Sequence, residues 1–200
     1  MLADGGGAWA KGKVKEIMKK SFTVDILERG IAKEENPALI VVQALMKSDR
    51  AREAIELLTV AGATKIIPWQ SERSIAKWQE DLGAKWVSTS IAAAKQSRRL
   101  ILPEIESPIT TDQIIKRFGG TPNLLVLHES ATIKISKAAL EFLPAPIVIV
   151  VGPEGGISGE ELGRLGAAGG TIVQLGSEVF RSAHAGFAAL SAISALTGRW

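Results

Sequence analysis

The sequence predicts an α/β fold: a mostly parallel sheet with helices on both faces, preceded by a short β module. Three observations carry this. From Leu39 onward, short apolar runs alternate with amphipathic stretches that begin near cap residues and stop at glycines. The run Ile147 to Val151 is unbroken and β-branched, the pattern of a strand buried on both faces. Residues 1–36 instead alternate apolar and polar side chains, as half-exposed strands do.

In the N-terminal stretch, Lys13 to Ile17 and Phe22 to Leu27 read as two strands joined by a turn at Met18-Lys19-Lys20-Ser21. A lone hairpin is marginal in water, so this piece leans on something else or belongs to a larger β module. Lys11, Lys13, Lys15, Lys19 and Lys20 cluster there. Lysines protect an edge strand from pairing, and they also contact phosphates; both readings stand. Arg29 to Pro37 is polar and reads as a linker, which divides the chain into residues 1–36 and 37–200.

Leu39 to Ala44 is then a buried strand. Ser48 or Asp49 caps a helix with Ala51, Ile55 and Leu58 on one face, and Gly62 stops it. Thr64 to Trp69 is the next strand; the loop Gln70 to Ser74 leads past Trp78 into a helix around Trp86 to Gln96. Leu100 to Leu102 reads as a short strand before Pro103. Thr111 caps a helix through Phe118, closed by Gly119-Gly120. Asn123 to Leu127 is a strand and Ser136 to Phe142 a helix. After Ile147 to Val151 comes Gly152-Pro153-Glu154-Gly155-Gly156, then Ser158-Gly159-Glu160-Glu161, a capping box with Ser158 as N-cap and Glu161 at N3. That helix ends near Gly169-Gly170, and Thr171 to Leu175 is the last strand. Arg181 or Ser182 opens a last helix whose Ala183, Phe187, Leu190, Ile193 and Leu196 form an apolar stripe.

Composition narrows the function. The chain has 200 residues, 46% of them hydrophobic, enough for one good-sized domain with a fragment or for two small ones. A net charge of +3 with a pI near 9.2 permits an anionic partner without requiring one. The chain has no cysteine, which excludes disulfides and thiolate metal sites, and two histidines, His128 and His184, do not make a metal cluster. No apolar run approaches the roughly 20 residues of a membrane span. Met1 to Gly7 lacks the basic and apolar regions of a signal peptide, so the expected location is cytoplasmic. The tryptophans are dispersed and read as core or interface residues.

Three loops that follow strands fall on one edge of the predicted sheet: Leu127-His128-Glu129, Gly152 to Gly156, and Leu175 to Arg181. Together they offer backbone donors and acceptors, apolar walls and few charges, which suits an adenosine. The glycine turn is neither G-x-G-x-x-G nor a P-loop, and no Ser–His–Asp arrangement or metal set accompanies it.

Gly152 to Gly156 resembles the G-P-E-G-G turn of the RsmE family of RNA methyltransferases, in the knotted SPOUT superfamily. Other elements match in order: Ser71-Glu72-Arg73-Ser74 resembles the family's S/T-E-R-S element; Trp86 with Ala94-Lys95-Gln96-Ser97 resembles W…A-E-Q-S, with lysine where glutamate is usual. Pro103-Glu104, Leu127-His128-Glu129 and Leu175-Gly176 follow, and Arg181 falls on the arginine of L-R-T-E-T-A. The resemblance covers nearly the whole chain. It implies S-adenosylmethionine-dependent methylation of N3 of a uridine in small-subunit ribosomal RNA, by a homodimer with a C-terminal trefoil knot and without metal. The implied cofactor residues are Leu127, His128, Gly152, Gly155, Gly156, Leu175, Gly176, Val179 and Phe180. The N-terminal hairpin resembles the second half of the family's PUA-like RNA-binding barrel, and with the first half absent the module is truncated or translation begins upstream of Met1. Lys13, Lys15, Lys19, Lys20 and Arg73 are then the RNA-binding candidates.

Catalysis at N3 needs the uracil out of its stack and aligned with the methyl donor. Arg181 is the candidate donor to the developing anion or, alternatively, a phosphate clamp. Glu154 is a candidate base or a cap for nearby N–H groups; Arg73 holds RNA or braces a loop; His128 and His184 accept protons or are satisfied structurally. Two departures stand out. The family's Thr-Glu-Thr is Ser182-Ala183-His184 here, and its frequent Pro-Arg after Leu175-Gly176 is Ser177-Glu178. Two alternatives stay open: a ribose 2′-O-methyltransferase of the same superfamily, or an RNA- or cofactor-binding protein with little or no activity, which Ser182-Ala183-His184 and the shortened N-terminus favour.

Overall fold

The computed structural model describes residues 1–139 and 145–200. Leu2–Ala3 (β1), Ala8–Ile17 (β2) and Phe22–Ile31 (β3) form an antiparallel sheet in that order. A second, seven-stranded sheet contains Leu39–Ala44 (β4), Lys65–Trp69 (β5), Glu104–Ile105 (β6), Leu124–Leu127 (β7), Ile133–Lys134 (β8), Ile147–Val151 (β9) and Thr171–Gln174 (β10). Its order is β6-β5-β4-β9-β7-β10-β8, and every pairing is parallel. The helices are Ser48–Val60 (α1), Glu80–Ser97 (α2), Thr111–Phe118 (α3), Ile135–Ala139 (α4), Gly159–Ala167 (α5) and Ser182–Leu196 (α6).

The alternation of side chains along β9 divides the core. Ile147, Ile149 and Val151 pack with Leu58 of α1, Trp86 of α2, and Leu190 and Ile193 of α6. Val148 and Val150 pack with Ile114 and Phe118 of α3 and Leu165 of α5. No residue of β9 is more than 1% exposed. Helices therefore cover both faces, as the unbroken β-branched run predicts.

Several boundaries differ from the sequence reading. Leu100 to Leu102 does not join the large sheet. Ile101 bridges to Gly5 and Gly6, the Leu102 N–H donates to the Gly5 carbonyl at 2.9 Å, and β5 pairs instead with Glu104–Ile105. This is the support the N-terminal strands require. Arg29 to Ile31 belong to β3 and not to a linker, because Trp9 lies over Gly30: a Cβ there would sit 2.7 Å from the indole ring. The cap of α3 is Thr110, in a full capping box with Gln113, which frees Thr111 for a tertiary contact. Lys47 occupies the N-cap of α1 without a side-chain cap bond, so neither Ser48 nor Asp49 caps it. The short β8 escaped sequence reading because two residues carry no periodicity. Of the helix expected over 136–142, residues 140–142 lie outside the described residues.

The three-stranded sheet has little core of its own: Ile17 and Ile31 are 80% and 81% exposed, and Phe22, Ile26 and Leu27 are exposed as well. No described helix is long and apolar enough to cross a membrane.

The close approach of α6 to α1 and β9 is testable. A Cβ on Gly186 would lie 2.8 Å from Leu58 Cδ2 and 3.5 Å from Val151 Cγ2. Gly186→Val should destabilise the fold by about 1–3 kcal/mol through overpacking. Gly163→Ala, in α5 with open space around its Cβ, should stabilise by up to about 1 kcal/mol. Urea titration of both variants checks the pair.

Candidate functional site

Strands β9, β7 and β10 are neighbours, so the loops after them emerge side by side at the carboxyl edge of the sheet. They enclose a cleft of about 710 Å³, within the range of small-molecule sites. Leu127 and His128 line it from β7, Gly152, Glu154, Gly155 and Gly156 from β9, and Leu175, Gly176, Val179, Phe180 and Arg181 from β10. The structure thus brings together every cofactor candidate and both catalytic candidates.

Two side chains fix the glycine loop, and a third caps the helix that follows it. Ser182 Oγ, at the start of α6, donates to the Gly152 carbonyl and accepts from Gln43 Nε2 at 3.4 Å. Arg73 Nη1 donates to the Gly155 carbonyl at 3.2 Å. Ser158 Oγ accepts from the Glu161 N–H at 3.2 Å and so caps α5. The capping box is only half formed, because the Glu161 carboxylate turns away. Its Oε1 accepts from Thr111 Oγ at 2.6 Å and from the Glu72 N–H at 3.0 Å. Thr111 in turn accepts from Trp69 Nε1 at 3.1 Å. Glu161 is 5% exposed. It therefore locks the Ser71 to Ser74 turn, α3 and α5 into one unit behind the glycines.

The glycines have different jobs. A Cβ on Gly152 would lie 2.7 Å from Ile157 Cγ1, so this glycine serves packing. Gly156 has φ +73° and nothing within 4 Å of a Cβ position, so it both needs the left-handed conformation and opens toward the cleft. Gly155 backs onto Arg73 at 3.5 Å.

The ionisable groups sort out as follows. His128 Nδ1 accepts from the Ser130 N–H at 3.2 Å and lies 2.8 Å from Ser130 Oγ. That makes the neutral imidazole the Nε2–H tautomer, so Nδ1 is not a free proton acceptor. His184 Nε2 is 2.8 Å from Glu53 Oε1 on α1. Arg181 sits at the N-cap of α6; its carbonyl accepts from the His184 and Ala185 N–H groups, at 2.8 and 2.9 Å, and its exposed side chain has no partner among the described residues. Glu154 is exposed and caps nothing among the described residues. Arg73 forms the brace, and it lies outside the cleft lining. Lys13, Lys15, Lys19 and Lys20 are exposed on or beside β2 of the other sheet; Lys15 is 3.7 Å from Asp25. Among the described residues no group of acidic, histidine or cysteine side chains is gathered as a metal site.

The fold and this loop arrangement are shared with known proteins. A family model described as an RNA methyltransferase domain matches residues 33–194. The ribosomal RNA small subunit methyltransferase E of Mycobacterium bovis is 37% identical over 208 residues, covering 100% of this chain and 79% of the relative. The chain belongs to the RsmE family of RNA methyltransferases. The Bacillus subtilis member is 29% identical over 199 residues, spanning 94% of this chain and 78% of its own. Among solved structures, a ribosomal RNA small subunit methyltransferase E from Neisseria gonorrhoeae bound to S-adenosyl methionine superposes with a TM-score of 0.87 at 26% identity, over 98% of this chain and 81% of that one. A Legionella pneumophila methyltransferase in complex with the same cofactor gives 0.83 at 27% identity, over 97% and 81%.

Sequence reasoning missed the Glu161 network, Gln43 and Arg50, which also lines the cleft. Glu161 carried a signal, its capping-box position, but the spacing alone does not reveal that the carboxylate has a stronger tertiary use. Glu161→Ala leaves Thr111 and the Glu72 N–H without their acceptor, a loss of about 1–3 kcal/mol. Hydrogen exchange should show the Glu72 amide losing protection before the β9 amides do; equal protection of Glu72 in parent and variant would mean the contact contributes nothing.

Proposed function

We propose that this RsmE-family chain uses the cleft to bind S-adenosylmethionine and methylates N3 of a uridine in small-subunit ribosomal RNA. The observation that carries the reading is the convergence of the three loops on one cleft of nucleoside-cofactor size, in a chain related over its whole length to small-subunit methyltransferases. The cofactor supplies a methyl group already activated by a sulfonium, so the chain's own task is binding, orientation and charge stabilisation. The donor set fits: Leu127, Val151 and Leu175 offer apolar walls for a base, and the open side of Gly156 admits close backbone approach.

Arg181 stands at the rim with its guanidinium uncommitted among the described residues. It donates to the uracil oxygen on which negative charge builds as N3 reacts. Glu154, exposed at the same rim, accepts the N3 proton. The target base leaves its stack to reach them. The lysines of β2 and the adjoining turn contact RNA phosphates, and the three-stranded sheet is part of a PUA-like module. Arg73 acts on RNA only indirectly, by holding Gly155. A homodimer completes the reading: Val179, Phe180 and Leu196 are 76%, 44% and 45% exposed, apolar surface beside the cleft and on α6 that a second copy covers. The trefoil knot belongs to the same proposal. Its support is that β10 lies beyond β7 while α6 returns past β9 to α1. The reaction takes place in the cytoplasm, where ribosomal subunits are handled.

Two measurements test this reading. Arg181→Ala should lower turnover about 100- to 1000-fold with cofactor affinity little changed, because its contact forms in the transition state. Methyl incorporation into small-subunit RNA, followed by mass spectrometry of nucleosides, reads both rate and product; a ribose-methylated product overturns the N3 assignment. Sedimentation equilibrium should give a dimer at micromolar concentration, and a monomer there removes any shared site.

A further inference from the structure

We infer that Arg50 is an oxyanion-binding residue of this cleft, and that His184 positions it through Glu53. The inference rests on the methyltransferase reading above and adds to it a residue at the cleft wall and a device that aims it.

Arg50 is the third residue of α1, which begins where β4 reaches the carboxyl edge of the sheet, and its side chain lines the cleft. A cation in the first turn of a helix faces the positive end of the helix dipole and is disfavoured there. It is held by a carboxylate one turn on: Arg50 Nη1 donates to Glu53 Oε2 at 2.8 Å. The second oxygen of that carboxylate is taken from α6, where His184 Nε2 lies 2.8 Å from Glu53 Oε1. Both oxygens of Glu53 are thus engaged, which favours the rotamer that faces Arg50. Its carboxyl is held below the usual range by the hydrogen bond from His184 first and by Arg50 second. The rest of the Arg50 guanidinium has no partner among the described residues.

The local charge at Arg50, and not the cleft as a whole, points to the ligand class. Arg50 and Arg181 are its cationic side chains, against Glu129, Glu154 and Glu178. Arg50 adds its positive charge to the exposed N–H end of α1, an arrangement that attracts an oxyanion. Both reactants of the proposed reaction carry one: a phosphate in the RNA and the amino-acid carboxylate in S-adenosylmethionine. His184 stands in the triplet that departs from the family pattern, so the departure brings its own partner on α1.

The test uses the full chain and three ligands: S-adenosylmethionine, methylthioadenosine, which lacks the carboxylate, and a small-subunit RNA fragment. If the oxyanion is a phosphate, Arg50→Ala weakens RNA binding about tenfold, lowers the salt slope by about one and leaves both nucleosides unaffected. If it is the cofactor carboxylate, S-adenosylmethionine weakens about tenfold while methylthioadenosine holds. Unchanged affinity for all three in Arg50→Ala overturns the inference and leaves the methyltransferase reading standing; a parent that binds neither cofactor nor RNA overturns both. His184→Phe should reproduce part of the loss in the parent background and add nothing in the Arg50→Ala background, since the two act as one unit. His184→Gln, which keeps a donor toward Glu53, should restore binding. An equal loss in both backgrounds means that His184 acts structurally and not through Arg50. Thermal melts of each variant separate misfolding from a binding defect, and a loss of affinity that merely tracks the melting temperature overturns the positioning role.

Discussion

The site depends on one buried carboxylate. Glu161 sits at the start of α5 with 5% exposure and takes its hydrogen bonds from two other segments, Thr111 of α3 and the backbone of Glu72 after β5. A buried carboxylate is costly without donors; here both donors meet Oε1, and Oε2 has no partner among the described residues. The same requirement fixes the segments that supply them. The Ser71 to Ser74 turn cannot move without stripping Glu161 of a donor, and that turn carries Arg73, whose guanidinium holds the Gly155 carbonyl. Rigidity therefore runs from the carboxylate through Arg73 to the glycine loop, which by itself has little to hold it in place.

The opposite end of the loop is held from α6. Ser182 donates to the Gly152 carbonyl, with Gln43 of β4 behind it. Just past the Gly155 anchor, Gly156 has nothing within 4 Å of a Cβ position. The division is physically sensible. Backbone that must approach a ligand closely cannot carry side chains of its own, so its stiffness has to come from neighbours. The rim shows the contrary pattern: Glu154, Val179, Phe180 and Arg181 are exposed, on loop residues that the core does not constrain.

Much of this was legible in the sequence because it rests on local patterns. The β-branched run of β9, the alternation of strands with capped helices and the glycine turn each have a periodicity or a spacing, and they placed the cleft and its lining residues. What could not be read was set by tertiary competition. Ile101 left the large sheet because Gly5 and Gly6 offered it a bridge. Thr111 gave up the cap position to Thr110 and spent its hydroxyl on Glu161. Arg73 was readable as an RNA contact or as a brace, but its acceptor, far along the chain at Gly155, could not be read. The matching motifs pointed to the family; the donors and acceptors that make those motifs work are scattered outside them.

The first turn of α6 shows how a departure from a family pattern can be absorbed. Ser182 keeps a hydroxyl and uses it on Gly152. Ala183 is 3% exposed and packs in the core at the cleft wall. His184 reaches Glu53, which holds Arg50. A glutamate at 183 would have to extend into the cleft or leave its charge among apolar neighbours, where an unpaired carboxylate is costly. A threonine at 184 is too short to replace the imidazole contact to Glu53. The three residues therefore form a set adapted to α1 as it stands here, and exchanging them for Thr-Glu-Thr without changing α1 would release Glu53 as it restored the carboxylate. With Ala183 in place, the first turn of α6 brings no carboxylate to the cleft; its His184 instead reaches Glu53 of α1, which holds the cation Arg50.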